Sequence, residues 1–356
     1  MLGRRVASLA LAPLGAVVRV VARRRRRRAR PEVRLPVRVV SVGNLVAGGT
    51  GKTPMVAAIA RMLLDRGLRV GVVTGAYGAR PDWAPDAEGR RFRCEIVRGP
   101  DLAAGTVERV GDETVLLAEA LHDIPIAAGR PKARAAGWLA ASADLDTILV
   151  DDGFQHHSLA RDIDIVLLDA RRPFGDGRVL PAGRLREGPE SLRDADIVIL
   201  TGAGEAGAAV GVEERVRALA PEALVVTARR VAVGARREPG SQPTPLAVLS
   251  RARVIAVCGL GSPESFARTL RELGADAEMM RYRDHHAYTE HDFRRIEDRA
   301  SGRAIVTTAK DATKWRGRVD FPYIVVDVEM CVSDADPLLD RILGAAQDQG
   351  ASDART

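Results

Sequence analysis

The chain has 356 residues, 46% hydrophobic and 28% charged, which is enough for two globular domains and excludes a disordered-class composition. Its three cysteines, Cys94, Cys258 and Cys331, lie far apart and form no C-x-x-C pair, which suits a reducing compartment and argues against a disulfide framework or structural zinc. The net charge of +7 is uneven: residues 1–38 hold twelve arginines and one acid, Glu32, leaving 42 basic against 46 acidic residues, so the pI of 9.8 reflects a terminal tract and not a nucleic-acid groove.

The first segment in chain order is "RRVASLALAPLGAVVRVVARRRRRR" (4–28). Residues 6–22 are mostly apolar but are interrupted by Pro13, Gly15 and Arg19, and they lie at the short end of the about 17–25 residues that span a bilayer. Arginines stand where a signal peptide would need a small-residue cleavage site. Three arrangements remain: a helix lying in the interface of an anionic membrane with a cytoplasmic body, a single span with a cytoplasmic body, or a solvated basic tail. The apolar run followed by an Arg cluster favours the first.

"VRVVSVG" then reads as a buried strand ending before Asn44, and "PMVAAIARMLLDRG" (54–67) as a helix with Pro54 in its first turn and Gly67 closing it. Between them runs "NLVAGGTGKT", a phosphate loop of the form G-x-x-x-x-G-K-[ST] in which Val46 replaces the first glycine. Gly48, Gly49 and Gly51, with Thr50 among them, let successive backbone N–H groups turn toward one anion. Lys52 has the reach for the β/γ-phosphates of ATP, and Thr53 can ligate Mg²⁺. Lysine occurs only at 52, 132, 310 and 314 in a chain otherwise served by arginine, so Lys52 runs against the background. The competing reading is a glycine-rich turn without a ligand.

Strands "RVGVVTG", "IPIAAG", "DTILVDDG", "DIDIVLLDA" and "DIVILT" alternate with helices "DETVLLAEAL" and "RPKARAAGWLAAS". The alternation predicts an α/β fold, a P-loop NTPase-like and mainly parallel sheet. The expected organisation is a membrane-associating helix and Arg tract over 1–30, a P-loop domain over 31–229, a Pro/Gly/Ser-rich linker over 230–251, and a smaller α/β domain over 252–356. In the last unit, "RVIAVCGLG", the helix "PESFARTLRELG", "AEMMRYRDHH", a helix from about 289, "RAIVTTAKD" and "YIVVDV" follow one another.

Three clusters carry further chemistry. "TILVDDGFQHH" (147–157) delivers Asp151 and Asp152 at a strand tip, where a P-loop fold places its metal-binding acid, although alone the pair would read as a solvated turn. "RVGDETVLL" (109–117) puts Asp112 and Glu113 at a helix start, where capping is the plain explanation. "RYRDHHAYTEHDF" (281–293) gathers three of the six histidines, with no second ligand cluster of metal-site spacing; an Asp–His relay or a polar strand end also fits.

Taken together, "VVSVGNLVAGGTGKTP", "VGDE", "DDGFQHHSLARDIDIVLLDA", "PFGDGRVLPAGRLRE", "CGLGSPESFARTLRELG", "DHHAYT" and "TTAKDATKW", in order from about 39 to 315, resemble the tetraacyldisaccharide 4'-kinases, the lipid A precursor kinases. Members of that family begin with an amphipathic membrane-associating segment and tolerate a non-glycine where Val46 stands. The resemblance implies transfer of the ATP γ-phosphoryl group to the 4'-hydroxyl of a tetraacyl glucosamine disaccharide 1-phosphate, forming lipid IVA at the cytoplasmic face of the inner membrane. It implies a lipid substrate, no nucleic acid and no obligate protein partner. By motif position, Gly48, Gly49, Thr50, Gly51, Lys52 and Thr53 would hold ATP, and Thr53, Glu113, Asp151 and Asp152 would surround Mg²⁺. Asp112 would be the base, His285 its partner across the domain cleft, and Lys52 a catalytic cation. Gln155, Arg184 and Arg186 would meet the acceptor, the arginines at its existing phosphate.

The chain departs from the family at Gly75, Asp176, Arg184 and Ala309, where members usually carry Arg, Asn, Pro and Glu, which bears on the acceptor's acyl pattern and on turnover. Two readings of other kinds compete. One is a membrane-associated P-loop ATPase that switches partners, against which its signature lysine would fall at Ala47. The other is a nucleotide-binding scaffold without turnover.

Overall fold

Strand β1 (Arg38–Asn44) is buried along all but its first residue, as an apolar run flanked on both sides requires. It pairs in parallel with β6 (Thr147–Asp151) and β7 (Ile163–Asp169), which places the tips carrying Asn44 and Asp151 side by side. The computed structural model describes residues 11–49, 51–79, 81–85, 89, 91–103, 105–204, 208 and 210–344; Thr50 lies outside them.

The remaining strands are β2 (Val70–Thr74), β3 (Trp83–Pro85), β4 (Arg91–Val97), β5 (Ile126–Arg130), β8 (Ile197–Thr201), β9 (Leu224–Glu238), β10 (Gln242–Thr244), β11 (Arg253–Cys258), β12 (Asp276–Arg281), β13 (Ala304–Thr308) and β14 (Tyr323–Val332). One sheet joins them in the order β12-β11-β13-β14-β9-β8-β7-β1-β6-β2-β5-β4-β3, with β10 paired to β9. The P-loop half, from β5 to β9, is parallel throughout, and helices pack on both faces. Its edge is an antiparallel excursion, β3 and β4, that the alternation in the sequence did not announce.

Residues 230–251 do not form the expected linker. Residues 230–238 complete the 15-residue strand β9, whose start pairs in parallel with β8 and whose continuation pairs antiparallel with β14. Pro239 and Gly240 form only the turn into β10. The ribbon of β9 and β14 therefore connects the two halves by hydrogen-bonded strands. Beyond it, β11, β12 and β13 run parallel over an aromatic core in which Trp315 is fully buried among Tyr288, Phe293, Phe321 and Tyr323.

Near the N-terminus, residues Ala12–Arg28 form a helix. Its inner face is set by Gly15, where a Cβ would stand 2.9 Å from the Val179 carbonyl oxygen. Arg19 pairs with Glu190 at 2.7 Å. Arg26 pairs with Glu187 at 2.8 Å and lies over the Phe154 ring at 4.1 Å. Leu14, Val17, Val20 and Val21 are exposed on the outer side. No helix among the described residues is long and apolar enough to cross a membrane.

Candidate active site

The P-loop turns out of β1 into the helix Lys52–Asp65 with Gly48 at φ +123° and Gly51 at φ +84°, conformations that glycine adopts without strain. Val46 forms an antiparallel bridge with Leu185, while the Ala47 N–H donates to the Arg184 carbonyl at 2.7 Å and the Arg186 N–H to the Leu45 carbonyl at 2.8 Å. The position lacking the usual glycine is thus a short extended pairing, which a β-branched residue suits.

Asp151 and Asp152 follow at the tip of β6. Thr53 Oγ1 donates to Asp151 Oδ2 at 3.1 Å, and Lys52 Nζ and Arg186 Nη1 lie 3.5 and 2.7 Å from the Asp152 carboxylate. Asp152 holds φ +53°, a costly conformation for a non-glycine residue and one that collects at functional sites. The turn is braced from below by Lys132, whose ammonium, nearly inaccessible, donates to the Asp151 and Asp152 carbonyl oxygens. Burial and the nearby Glu113 push the Asp151 carboxyl up to about 7; burial also pushes Asp152 up, but Lys52 and Arg186 outweigh it and hold that carboxyl low. One oxygen of each, Asp151 Oδ1 and Asp152 Oδ1, is buried without a hydrogen-bond partner.

Asp151 Oδ1, and Asp152 Oδ1 with Lys52 Nζ 3.5 Å away, fit a cation. Among the described residues no group of three or more His, Cys, Asp or Glu is set to hold a metal, either here or at 281–293. Magnesium bound with a nucleotide needs no such cage, because it takes one or two carboxylates and completes its shell with water and phosphate. The 281–293 histidines divide differently: His286 bonds Asp292 at 3.1 Å and packs on Tyr282, while His285 turns toward the P-loop half.

Asp112 opens the helix Asp112–Leu121, but Gly111, at φ +89°, is the residue in the N-cap position, so the capping explanation for Asp112 weakens. Its Oδ1 accepts the Glu113 N–H at 2.9 Å, His285 Nδ1 stands 3.2 Å from both oxygens, and Lys314 Nζ is 2.8 Å from Oδ2. Burial raises the Asp112 pKa, yet His285, Lys310 and Lys314 outweigh it and hold the carboxyl well below the usual carboxylate range; the same contact raises His285. Lys310 Nζ lies 3.0 Å from Asp284 Oδ1, 3.3 Å from His285 Nε2 and 3.6 Å from Glu113 Oε1.

A cavity of about 1020 Å³ opens between the halves, lined by Gly48, Lys52, Glu113, Asp152, Arg186 and His285 among others. The loop from β11 closes over the P-loop, since a Cβ on Gly261 would meet the Gly49 nitrogen at 2.4 Å. Two residues named from the sequence sit elsewhere. Gln155 points to the P-loop strand, its Nε2 donating to the Asn44 carbonyl at 3.0 Å, and Arg184 donates to the Ala47 carbonyl at 3.0 Å. Neither lines the cavity, and Asp112 and Asp151 stand behind its wall, against His285 and Thr53. At Gly75 a Cβ would press on the Tyr77 ring at 2.7 Å, and Arg130 stacks on that ring at 3.7 Å while donating to the Gly75 carbonyl, so a guanidinium still stands beside the site.

Sequence reasoning missed Lys132, Lys310 and Lys314 as site residues, although the rarity of lysine was the signal.

The family model for tetraacyldisaccharide-1-P 4'-kinase matches residues 7–347. Tetraacyldisaccharide 4'-kinase of Syntrophus aciditrophicus is 38% identical over 84% of this chain and 82% of its own length, and that of Shewanella halifaxensis 36% identical over 87% and 84%. LpxK of Aquifex aeolicus, solved in complex with ATP, superposes with a TM-score of 0.73 at 26% identity, covering 95% of this chain and 99% of that one. The match spans the P-loop, the Asp112 region and the half bearing His285, and the chain belongs to the tetraacyldisaccharide-1-P 4'-kinase family.

Proposed function

We propose that this kinase transfers the γ-phosphoryl group of ATP to the 4'-hydroxyl of a tetraacyl glucosamine disaccharide 1-phosphate at the cytoplasmic face of the inner membrane, forming lipid IVA. The observation that carries this reading is the meeting of Asp112 and His285, 173 positions apart in sequence, at 3.2 Å beside a P-loop. The acceptor oxygen bonds to Pγ, the bond from Pγ to the bridging oxygen breaks, ADP leaves with that electron pair, and the hydroxyl proton passes to the Asp112–His285 pair. The P-loop backbone and Lys52 orient the nucleotide phosphates. Thr53, Asp151 and Asp152 would hold Mg²⁺, with Glu113 nearby, and the ion supplies charge neutralisation at the β- and γ-phosphates. Arg186, on the cavity wall, would meet the acceptor's own phosphate.

The decisive experiment incubates the protein with γ-labelled ATP and the detergent-dispersed acylated disaccharide 1-phosphate. Label in lipid is expected; label only in free phosphate replaces this reading with that of an ATPase.

Membrane attachment is assigned to the outer face of the helix Ala12–Arg28, where Val17 and Val20 are 58% and 50% exposed beside the arginine run. Deleting the helix would also strip Glu187 of Arg26, so a point change is the cleaner probe. Val17→Glu and Val20→Glu should each weaken binding to anionic vesicles about tenfold, from the lost apolar burial, with the melting temperature unchanged. Co-sedimentation of the double variant at the wild-type level removes this face from the membrane contact.

A further inference from the structure

The chain contains four lysines against fifty arginines. All four converge on one place. Lys52 lies 3.5 Å from Asp152, Lys132 bonds the carbonyl oxygens of Asp151 and Asp152, Lys310 lies 3.6 Å from Glu113, and Lys314 lies 2.8 Å from Asp112. In a chain that meets every other cationic need with arginine, a lysine marks a position where a compact ammonium on a flexible stem serves and a planar fork does not.

Lys310 and Lys314 share the short helix Ala309–Trp315 and, four residues apart, face the same way. Both of its ends are fixed. Asp311, fully buried, accepts from Gly259 N–H at 3.0 Å, Tyr288 Oη at 3.0 Å and Thr308 Oγ1 at 2.7 Å, and Trp315 is locked in the aromatic core. The helix is therefore anchored to its half of the molecule, and it presents one of its two ammonium groups to the cleft. Their surroundings differ. Lys314 is matched by Asp112 and stays behind it, outside the cavity wall, whereas Lys310 lines the cavity together with Lys52 and Arg186.

We propose that Lys310 is a catalytic residue, a cation carried by the C-terminal half onto the γ-phosphoryl group as it transfers. Its neighbours Asp284 and Glu113 hold the ammonium on the cavity wall. When Pγ passes from the bridging oxygen to the acceptor oxygen, with ADP leaving and the proton going to the Asp112–His285 pair, Lys310 contacts the equatorial oxygens from the side opposite the P-loop. That is the role a guanidinium from a second unit plays in other phosphoryl transfers. Lys52 serves the leaving side and Lys310 the opposite side, so the site draws one cation from each half.

The proposal rests on the kinase reading above, and one assay separates their failures. Full-length wild type, Lys310→Met and Lys310→Ala are given γ-labelled ATP and acylated disaccharide 1-phosphate, and label is counted in lipid and in free phosphate. The acceptor that gains label in the wild type tests the reading; the ratio of wild type to variant tests Lys310 whichever acceptor is used. Lys310→Met should lower kcat by about 10²-fold, the effect of removing one preorganised charge donor, with KM for ATP and the melting temperature near wild type. Propylammonium, which restores the missing atoms of Lys310→Ala, should recover part of that variant's rate and none of the rate of Lys310→Met, whose side chain fills the space. A wild-type kcat in Lys310→Met overturns the proposal, as does a loss in Lys310→Ala that the amine does not relieve. Should Lys310→Ala fail to fold, the split between kcat and KM in Lys310→Met decides, and a loss confined to KM for ATP counts against it.

Discussion

Lys52→Ala should lower turnover on the lipid acceptor by about 10³-fold, at the upper end for loss of one preorganised charge donor, and should do so in a protein that remains folded. The ammonium stands at the first turn of the P-loop helix, the place where charge moving from the γ-phosphoryl to the leaving oxygen can be followed by one flexible cation. Its structural share is small. Lys52 contacts Asp152 at 3.5 Å, but that carboxylate keeps Arg186 at 2.7 Å, so truncation leaves no uncompensated buried charge. The stability loss should be small, because Arg186 still compensates Asp152. Measuring kcat and the melting temperature on the same preparation checks both halves of the expectation. A near-normal kcat would mean that this loop holds structure and not the transferred phosphate.

The strands that build this site were legible because two independent signals coincided: an apolar run long enough for a buried strand, and a glycine-rich loop opening a helix directly after it. Strand β9 was not. Its residues 229–237, "RRVAVGARR", alternate weakly, and Pro239, Gly240 and Ser241 drew attention to a break that is only the hairpin turn. What fixes β9 is its ladder with β14, about a hundred residues on, and no local pattern carries a long-range pairing. The same limit applies to the site. Asp112 reads as a helix-start acid and His285 as one of three clustered histidines; only the packing of β11 and β13 beside the β9–β14 ribbon brings them together. Their pairing came from family resemblance and not from spacing. For Gln155 the resemblance points to the acceptor, whereas its side chain in this structure braces Asn44 at the end of β1.

The strongest effect expected is that of Asp112→Asn, a fall in lipid phosphorylation of about 10²–10⁴-fold, the usual contribution of a positioned base. The structure changes how the variant must be controlled. Since Gly111 takes the N-cap position, the substitution removes no cap, and the carbonyl oxygen of the new amide can still accept the Glu113 N–H. The loss falls instead on Lys314, whose side chain is 11% exposed and has Asp112 as its ion-pair partner at 2.8 Å. Asp112→Asn leaves that ammonium buried without its anion, which costs about 3–5 kcal/mol, so a lowered melting temperature in the single variant says nothing about catalysis. Adding Lys314→Met removes the orphaned charge and fills its space with an apolar chain of similar length. The double variant should recover the melting temperature and ATP affinity while phosphate transfer stays low, because asparagine cannot take the acceptor's proton whatever its neighbour. His285→Ala on the same background should then cost little more, as expected of two groups acting as one unit. If the double variant melts like wild type and phosphorylates lipid at a near wild-type rate, Asp112 is not the base, and its place beneath His285 is that of a counter-ion for Lys314.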